Sequence, residues 1–270
     1  MSKTNQSLKS ALQSVFASGA IIIALIISYL VYKFVMGNPV NFEGGNPDGN
    51  PMPGNYLGII YKGGNIVPIL MSLIIILITF TIERFLSIRR ARGKRGLNVF
   101  VKQLQGLLSE DKIEEASSAC DVQKGSLGNV IKAGLFRYRA LETETQLNKD
   151  QKILALQKEI EEATALELPM LSKNLVILST IASISVLIGL IGTVLGMIRA
   201  FAALAQAGAP DALALATGIS EALINTAFGI TGSTLAIILY NFFSTKIDSM
   251  TFKIDEAGFS LTQTFASKVK

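Results

Sequence analysis

Four long apolar stretches constrain this chain more than any other feature of its sequence. They fall at residues 15–36, 66–83, 174–199 and 218–243. A helix needs about 20 mostly apolar residues to cross the hydrocarbon core of a bilayer. Half of the 270 residues are hydrophobic and only 17% are charged, whereas a soluble domain carries about a quarter charged residues. The sequence therefore predicts an all-α membrane protein with four transmembrane helices.

Lysine and arginine are distributed unevenly around these stretches. The second stretch is followed at once by Arg84, Arg89, Arg90, Arg92, Lys94 and Arg95, whereas residues 37–65 contain only Lys62 and residues 200–217 contain no basic residue. Because basic residues favour the cytoplasmic side, both termini and residues 84–173 are predicted to be cytoplasmic. The predicted order is a cytoplasmic N-terminus (1–14), transmembrane helix 1 (15–36), a periplasmic Gly/Pro/Asn-rich segment (37–65), transmembrane helix 2 (66–83), a cytoplasmic helical region (84–173), transmembrane helix 3 (174–199), a periplasmic connection (200–217), transmembrane helix 4 (218–243) and a cytoplasmic tail (244–270).

The first apolar stretch has two interpretations. A secretory signal has a short apolar core of about 7–15 residues and a small-residue cleavage site. Residues 15–36 are longer than that, and no Ala-x-Ala-like sequence follows Tyr32 and Lys33. We therefore favour a retained membrane helix over a cleaved signal.

The region between the second and third stretches is predicted to be a helical bundle. Apolar residues recur at helical spacing from Leu127 to Leu141. From about Glu144 the pattern continues into the third span, which predicts one long helix bent near Pro169, and residues 85–108 would extend the second span. Two spans thus extend into the bundle. Ser109 and Ser126 are candidate N-caps of shorter helices. A docking surface for a cytoplasmic partner is the alternative to a simple solvated bundle.

Several kinds of chemistry lack the residues that they need. The chain has no histidine, so imidazole catalysis and histidine metal ligation are excluded. Its single cysteine, Cys120, cannot form a disulfide within the chain or a metal cluster. The chain has a net charge of +5, and its basic residues collect beside the apolar stretches. This distribution is expected of a membrane protein and not of one that binds nucleic acid. We expect no enzymatic activity, catalytic residue, cofactor or metal.

Small and polar residues interrupt the third and fourth stretches. The glycines Gly189, Gly192, Gly196, Gly229 and Gly232 are candidates for close helix packing, with Gly192 and Gly196 in a GxxxG step. Thr193 either serves an ion pathway or bonds its own helix. Glu221 is the acid placed to enter the membrane, where an ionisable group is costly and points to function. The alternative is a hydrated Glu221 at the outer interface. Thr226 lies about 140° around the helix from Glu221.

These two stretches also resemble those of a known family. The sequence from Gly189 to Gly196, Gly-Leu-Ile-Gly-Thr-Val-Leu-Gly, and the later one from Gly218 to Gly229 closely resemble the signature of the ExbB/TolQ/MotA proton-channel family, most of all ExbB. The resemblance covers the last three spans and the loop between them. It implies that Thr193 and Thr226 line a lumen and that Glu221 belongs to an ion pathway.

The resemblance also implies an assembly. It implies a homo-oligomer, a pentamer in this family, around a dimer of single-span ExbD- or TolR-like partners whose membrane Asp carries the proton, together with a TonB-like energy transducer and membrane lipids. The expected function is that of a motor scaffold in the inner membrane of a Gram-negative bacterium, driven by the proton-motive force to energise TonB-dependent outer-membrane transport. This chain has an additional first span, which ExbB and TolQ commonly lack. A TolQ-like envelope-maintenance role and a MotA-like stator or gliding role therefore stay open. A self-contained channel and a purely structural membrane organiser are the alternatives of another class.

Overall fold

The computed structural model describes residues 18–205 and 212–269, and these residues fold almost wholly as helices. Within them no β-strand occurs beyond an isolated bridge between Phe42 and Pro51. The helices are α1 (Ser18–Met36), α2 (Tyr56–Tyr61), α3 (Val67–Arg92), α4 (Leu97–Ser109), α5 (Ile113–Gln123), α6 (Gly125–Thr143), α7 (Lys149–Ser172), α8 (Leu175–Leu204) and α9 (Ala212–Lys268). Helices α1, α3, α8 and α9 contain the four segments long and apolar enough to cross a membrane. The prediction of an all-α protein with four membrane helices is therefore confirmed.

The chain divides into two compact units. The first, which we call the spanning unit, comprises the described residues within 1–81 and 177–240, and the second, the bundle unit, comprises those within 82–176 and 241–270. Helices α3, α8 and α9 each contribute residues to both units because they run on without interruption at the boundary.

In the spanning unit, the segment between α1 and α3 is irregular but well packed. Buried Asn41 donates its amide to the carbonyl oxygens of Val35 and Met36, both at 2.8 Å, and so closes the end of α1. Tyr32 of α1 stacks on Tyr61 of α2 with ring centroids 4.6 Å apart, and its hydroxyl donates to the Tyr61 carbonyl oxygen. This Gly/Pro/Asn-rich segment therefore holds its shape through side-chain amides and aromatic rings, because it has too few apolar residues for a core of its own.

The bundle unit has a continuous hydrophobic core. Helices α4, α5, α6 and α7 and the last third of α9 each contribute buried side chains, among them Phe100, Cys120, Val130, Leu156 and Phe265. The residues that the sequence predicts at helical spacing in α6, such as Leu127 and Leu135, are buried here. The amphipathic pattern thus identifies the core face correctly.

The predicted long helix into the third span is wrong, since the chain forms two helices there. Helix α7 continues through Pro169 and ends at Ser172, and α8 begins at Leu175. Asn174 between them has a φ of 60°, in the left-handed region that ends a helix and that asparagine tolerates better than most residues.

The predicted extension of the second span through residue 108 is only partly correct. Helix α3 ends at Arg92 and α4 starts at Leu97. The side-chain amide of buried Gln123 donates to the carbonyl oxygens of Arg92 and Arg95 and accepts from the Arg95 N–H. This one side chain thus satisfies the last carbonyl of α3 and two backbone groups of the turn that follows it.

Two predicted caps need correction. Ser109 is the last residue of α4, and α6 begins at Gly125, before Ser126, so neither serine starts a helix. Residues 244–268, predicted as a tail without an assigned structure, are part of α9 and bury Ile254 and Leu261 in the bundle core. Their apolar residues recur at helical spacing, a signal that was available in the sequence.

Candidate ion pathway between two membrane helices

Helices α8 and α9 approach each other closely along a row of glycines in the spanning unit. A Cβ atom added to Gly189 would lie 2.9 Å from the Asn225 carbonyl oxygen, and one added to Gly229 would lie 2.8 Å from the Ser185 carbonyl oxygen. Gly196 meets the Gly218 carbonyl oxygen in the same way, at 2.7 Å. These contacts are backbone to backbone, so a methyl group would force the helices apart.

Two other glycines in this row face side chains. A Cβ at Gly192 would lie 2.5 Å from the Asn225 Cβ, and a Cβ at Gly232 would lie 2.5 Å from the Ser185 hydroxyl oxygen. Both polar groups are buried, and neither the Ser185 hydroxyl nor the Asn225 Oδ1 has a hydrogen-bond partner among the described residues. The glycines thus leave room for polar side chains inside an otherwise apolar helix contact.

Thr193 and Thr226 meet across this contact. Their hydroxyl oxygens are 2.5 Å apart, and each also lies 3.1 Å from a carbonyl oxygen of its own helix, Gly189 for Thr193 and Ala222 for Thr226. Each hydroxyl carries one proton, so one threonine donates to the other, which donates in turn to its own helix. The direction of this pair reverses when both hydroxyls rotate.

Glu221 is buried and paired with an arginine. It is 3% exposed, and its two carboxylate oxygens accept from the same nitrogen of Arg199, Nη1, at 2.5 and 2.6 Å. The Arg199 side chain itself is 55% exposed. A hydrated, unpaired Glu221 is therefore not what this structure contains. A buried carboxylate needs such a partner, because taking a lone charge out of water is very costly.

The irregular segment before α3 covers this ion pair. Buried Asn225 donates its side-chain amide to the Gly63 carbonyl oxygen at 2.9 Å. The next residue, Gly64, has a φ of +75°, and a Cβ there would overlap the Glu221 Oε1 and lie 3.3 Å from the Arg199 Nη1. The left-handed backbone at Gly64 favours glycine, and a side chain there would push the Glu221 carboxylate out of its present position.

The polar groups form two sets at different depths. Thr193 and Thr226 form one, and Arg199 and Glu221 form the other, about 7–9 Å further along the helices by the helical rise. Asn225 borders both, through its helix neighbour Thr226 and through Gly63. All three predicted pathway residues thus lie at the contact of α8 with α9, but Glu221 makes no hydrogen bond to either threonine among the bonds of the described residues.

Sequence reasoning missed Arg199, Asn225 and Gly64 as members of this site. Arg199 stood out only as the charge that ends an apolar stretch, and pairing it with Glu221 requires the register of the α8–α9 contact. Asn225 did carry a signal, since a polar residue one turn after a membrane acid is uncommon in an apolar helix. Gly64 carried none, because its neighbour Glu221 is far away in the sequence.

Comparison with known proteins bears on residues in both units. Residues 125–256 match the MotA/TolQ/ExbB proton channel family. The Tol-Pal system protein TolQ of Pseudomonas aeruginosa is 28% identical over 159 residues, which are 58% of this chain and 68% of that protein. The biopolymer transport protein ExbB of Salmonella typhimurium is 40% identical over 72 residues, 27% of this chain and 30% of that protein. ExbB of Pseudomonas putida is 26% identical over 202 residues, 74% of this chain and 60% of that protein.

The matched part thus spans less than two thirds of both ExbB proteins and about two thirds of TolQ. The family match contains Thr193, Arg199, Glu221 and Thr226 and all of α8. It ends at residue 256 and leaves out α1 and the segment that covers Glu221. Residues 125–256 of this multi-pass membrane protein therefore belong to the MotA/TolQ/ExbB proton channel family.

Proposed function

We propose that this chain is the scaffold subunit of an inner-membrane motor driven by the proton-motive force, and that it energises TonB-dependent transport across the outer membrane. The observation that carries the proposal is the buried ion pair of Glu221 with Arg199, which lies one to two helical turns from the hydroxyl pair of Thr193 and Thr226. Ionisable groups inside a membrane are expensive and are kept where ions or protons move.

The three predicted pathway residues then have distinct roles. Thr193 and Thr226 supply hydroxyls that exchange donor and acceptor roles by rotation, and these can bond water or a carboxyl group of a partner. Glu221 places a carboxylate at one end of the pathway, and Arg199 keeps that charge balanced. In this proposal the glycines Gly189, Gly192, Gly196, Gly229 and Gly232 allow the helix contact that brings these groups together.

A partner helix completes the pathway. Glu221 is the one acidic residue in the described membrane segments 18–36, 67–81, 177–205 and 212–240, and Arg199 already neutralises it. A proton needs another titratable group on its way across, and a membrane Asp on a single-span ExbD- or TolR-like dimer supplies one. A proton that crosses about 150 mV releases roughly 3.5 kcal/mol, enough to move such a helix between two positions.

In this proposal several copies of the chain surround the partner dimer. The family resemblance implies five copies. Both termini and residues 84–173 face the cytoplasm, residues 37–65 and 200–217 face the periplasm, and a TonB-like protein receives the energy. The basic residues from Arg84 to Arg95, in the last turns of α3 and just after it, support this orientation.

A second candidate function has a specific observation in its favour. Among the three relatives described above, the one with the largest covered share, 68% of its length, is a Tol-Pal system protein. A TolQ-like role in envelope maintenance would use the same pathway with a different transducer. A MotA-like stator role is supported only by the number of spans, and the burial of Glu221 speaks against a purely structural organiser.

Complementation of a strain that lacks its own scaffold subunit tests the proposal. Thr193→Val, Thr226→Val and Glu221→Ala should each abolish growth on an iron source that requires TonB-dependent uptake, while the oligomer and the bound single-span partner are still recovered. Thr→Val keeps the shape and removes only the hydroxyl, so packing changes little. Thr234→Val is the matched control, since Thr234 is exposed on the same helix. Full growth of all three variants on this iron source would overturn the proposal. Variants that grow on the iron source but become sensitive to detergent would favour the envelope role.

A further inference from the structure

A cavity of about 610 Å³ lies within the bundle unit, between the end of α3, the turn into α4 and the middle of α9. Its volume is that of a ligand-sized site, for which about 300–1,000 Å³ is usual. Its charged lining residues are all basic: Arg89, Arg92, Lys246 and Lys253. A cavity whose charged lining residues are all basic favours an anionic occupant.

Three of these cations lack a counter-charge. Lys253 forms a salt bridge with Glu256 at 2.7 Å. Arg89, Arg92 and Lys246 form no salt bridge with any residue in the described parts of the chain. Lys246 lies 5.7 Å from the ring centroid of Phe242, which stabilises a cation only weakly. Three unpaired cations around one cavity repel each other, so an anion that binds there is stabilised by all of them.

Most of the remaining lining is apolar and partly open, with Asn98 and Ser249 as its neutral polar residues. The apolar lining residues include Phe85, Ile88, Leu97, Phe242 and Met250. Phe85 is 54% exposed and Phe242 is 49% exposed. Exposed aromatic rings beside unpaired cations suit an amphiphile, whereas a small soluble anion would leave the rings in water.

The position along the helices identifies the amphiphile. The apolar stretch of α3 ends at Ile82, three residues before Phe85, and that of α9 ends at Phe243, three residues before Lys246. The cavity therefore lies where two membrane helices leave the hydrocarbon, at the depth of lipid headgroups. Basic clusters at this depth attract anionic lipids.

We propose that this cavity binds an anionic phospholipid. The phosphate group of the lipid lies between Arg89, Arg92 and Lys246, because a guanidinium group can donate two parallel hydrogen bonds to two phosphate oxygens. One acyl chain lies along Phe85 and Phe242. This site is independent of the ion pathway, so it stands whether or not the proposed motor function does.

Native mass spectrometry of the full-length protein in a non-ionic detergent tests the proposal. The protein is titrated with dioleoyl phosphatidylglycerol and with dioleoyl phosphatidylcholine, which share their acyl chains and differ in net charge. We expect at least a tenfold preference for phosphatidylglycerol. The triple variant Arg89→Gln, Arg92→Gln and Lys246→Gln should lose this preference, and Arg89→Lys with Arg92→Lys, which keeps the charge, should retain most of it.

The control variant is Lys102→Gln, Arg137→Gln and Lys149→Gln, which removes the same charge from the bundle unit outside the cavity. It should keep the preference, and an equal loss in both triple variants would reduce the effect to net charge and overturn the proposal. Equal binding of the two lipids by the unaltered protein would also overturn it, as would displacement of the lipid by glycerol 3-phosphate. Loss of the oligomer in the cavity variant with unchanged lipid preference would overturn it as well, and would assign the cavity to a contact between copies of the chain.

Discussion

The ion pair of Glu221 with Arg199 should respond very differently to removal of either partner. Arg199→Met leaves a carboxylate that is 3% exposed without its cation, whereas Glu221→Gln leaves an arginine whose side chain is 55% exposed and can be solvated by water. Breaking a fully buried pair costs about 3–5 kcal/mol. Because water screens about half of the Arg199 side chain, we expect Arg199→Met to lower the free energy of unfolding by half of that range, ~2 kcal/mol. For Glu221→Gln we expect at most about 1 kcal/mol, the value of an exposed pair.

The measurement is the melting temperature of a fluorescent fusion, from the fraction that remains folded in gel filtration after heating. At about 2–4 °C per kcal/mol for a chain of this size class, Arg199→Met should lower Tm by about 4–8 °C and Glu221→Gln by no more than about 4 °C. The double variant should be no worse than Arg199→Met alone, because no carboxylate is left unpaired. Equal losses for the two single variants, or losses that simply add in the double variant, would refute the pairing.

Two further outcomes follow from the structure. Gly64→Ala should abolish energised growth, because its Cβ would overlap the Glu221 carboxylate and displace it from Arg199. Gly54→Ala, at a similar φ of +77° but with nothing within 4 Å of the added Cβ, should keep growth. A growth defect in both variants would indicate backbone strain alone. Burial raises the pKa of the Cys120 thiol to about 12, so N-ethylmaleimide at pH 8 should label Cys120 only after unfolding. Because the folded pKa lies above the unfolded value, the contribution of this thiol to stability is complete below about pH 9 and is lost as the pH rises toward 12. Rapid labelling of Cys120 in the native protein would contradict its burial and therefore the raised pKa.

Local patterns in the sequence are sufficient for the membrane helices. Whether a segment crosses a bilayer depends on the length and hydropathy of that segment alone, so α1, α3, α8 and α9 were predictable one by one. The same holds for the core face of α6, which follows from residue spacing. Thr193, Glu221 and Thr226 were predictable as candidates because a polar residue in an apolar helix stands out without any knowledge of its neighbours.

Helix ends were less predictable, because distant residues decide them. The end of α3 is stabilised by Gln123, which lies 31 residues after Arg92. Arg84 is a similar case: its sequence position suggests an interfacial surface charge, but it is only 2% exposed. Its guanidinium binds the Glu83 carboxylate and the Leu171 carbonyl oxygen.

The sequence by itself determined the number of spans, the all-α class and the candidates Thr193, Glu221 and Thr226. Only the tertiary structure decided that Arg199 neutralises Glu221, that Gly63 and Gly64 cover the pair, and that the two threonines share a hydrogen bond. The physical reason is range. Hydropathy and helical periodicity are properties of one segment, whereas an ion pair or a hydrogen bond between segments requires their relative register to within about an ångström, and that register is set by the packing of the glycine surfaces of α8 and α9 as a whole.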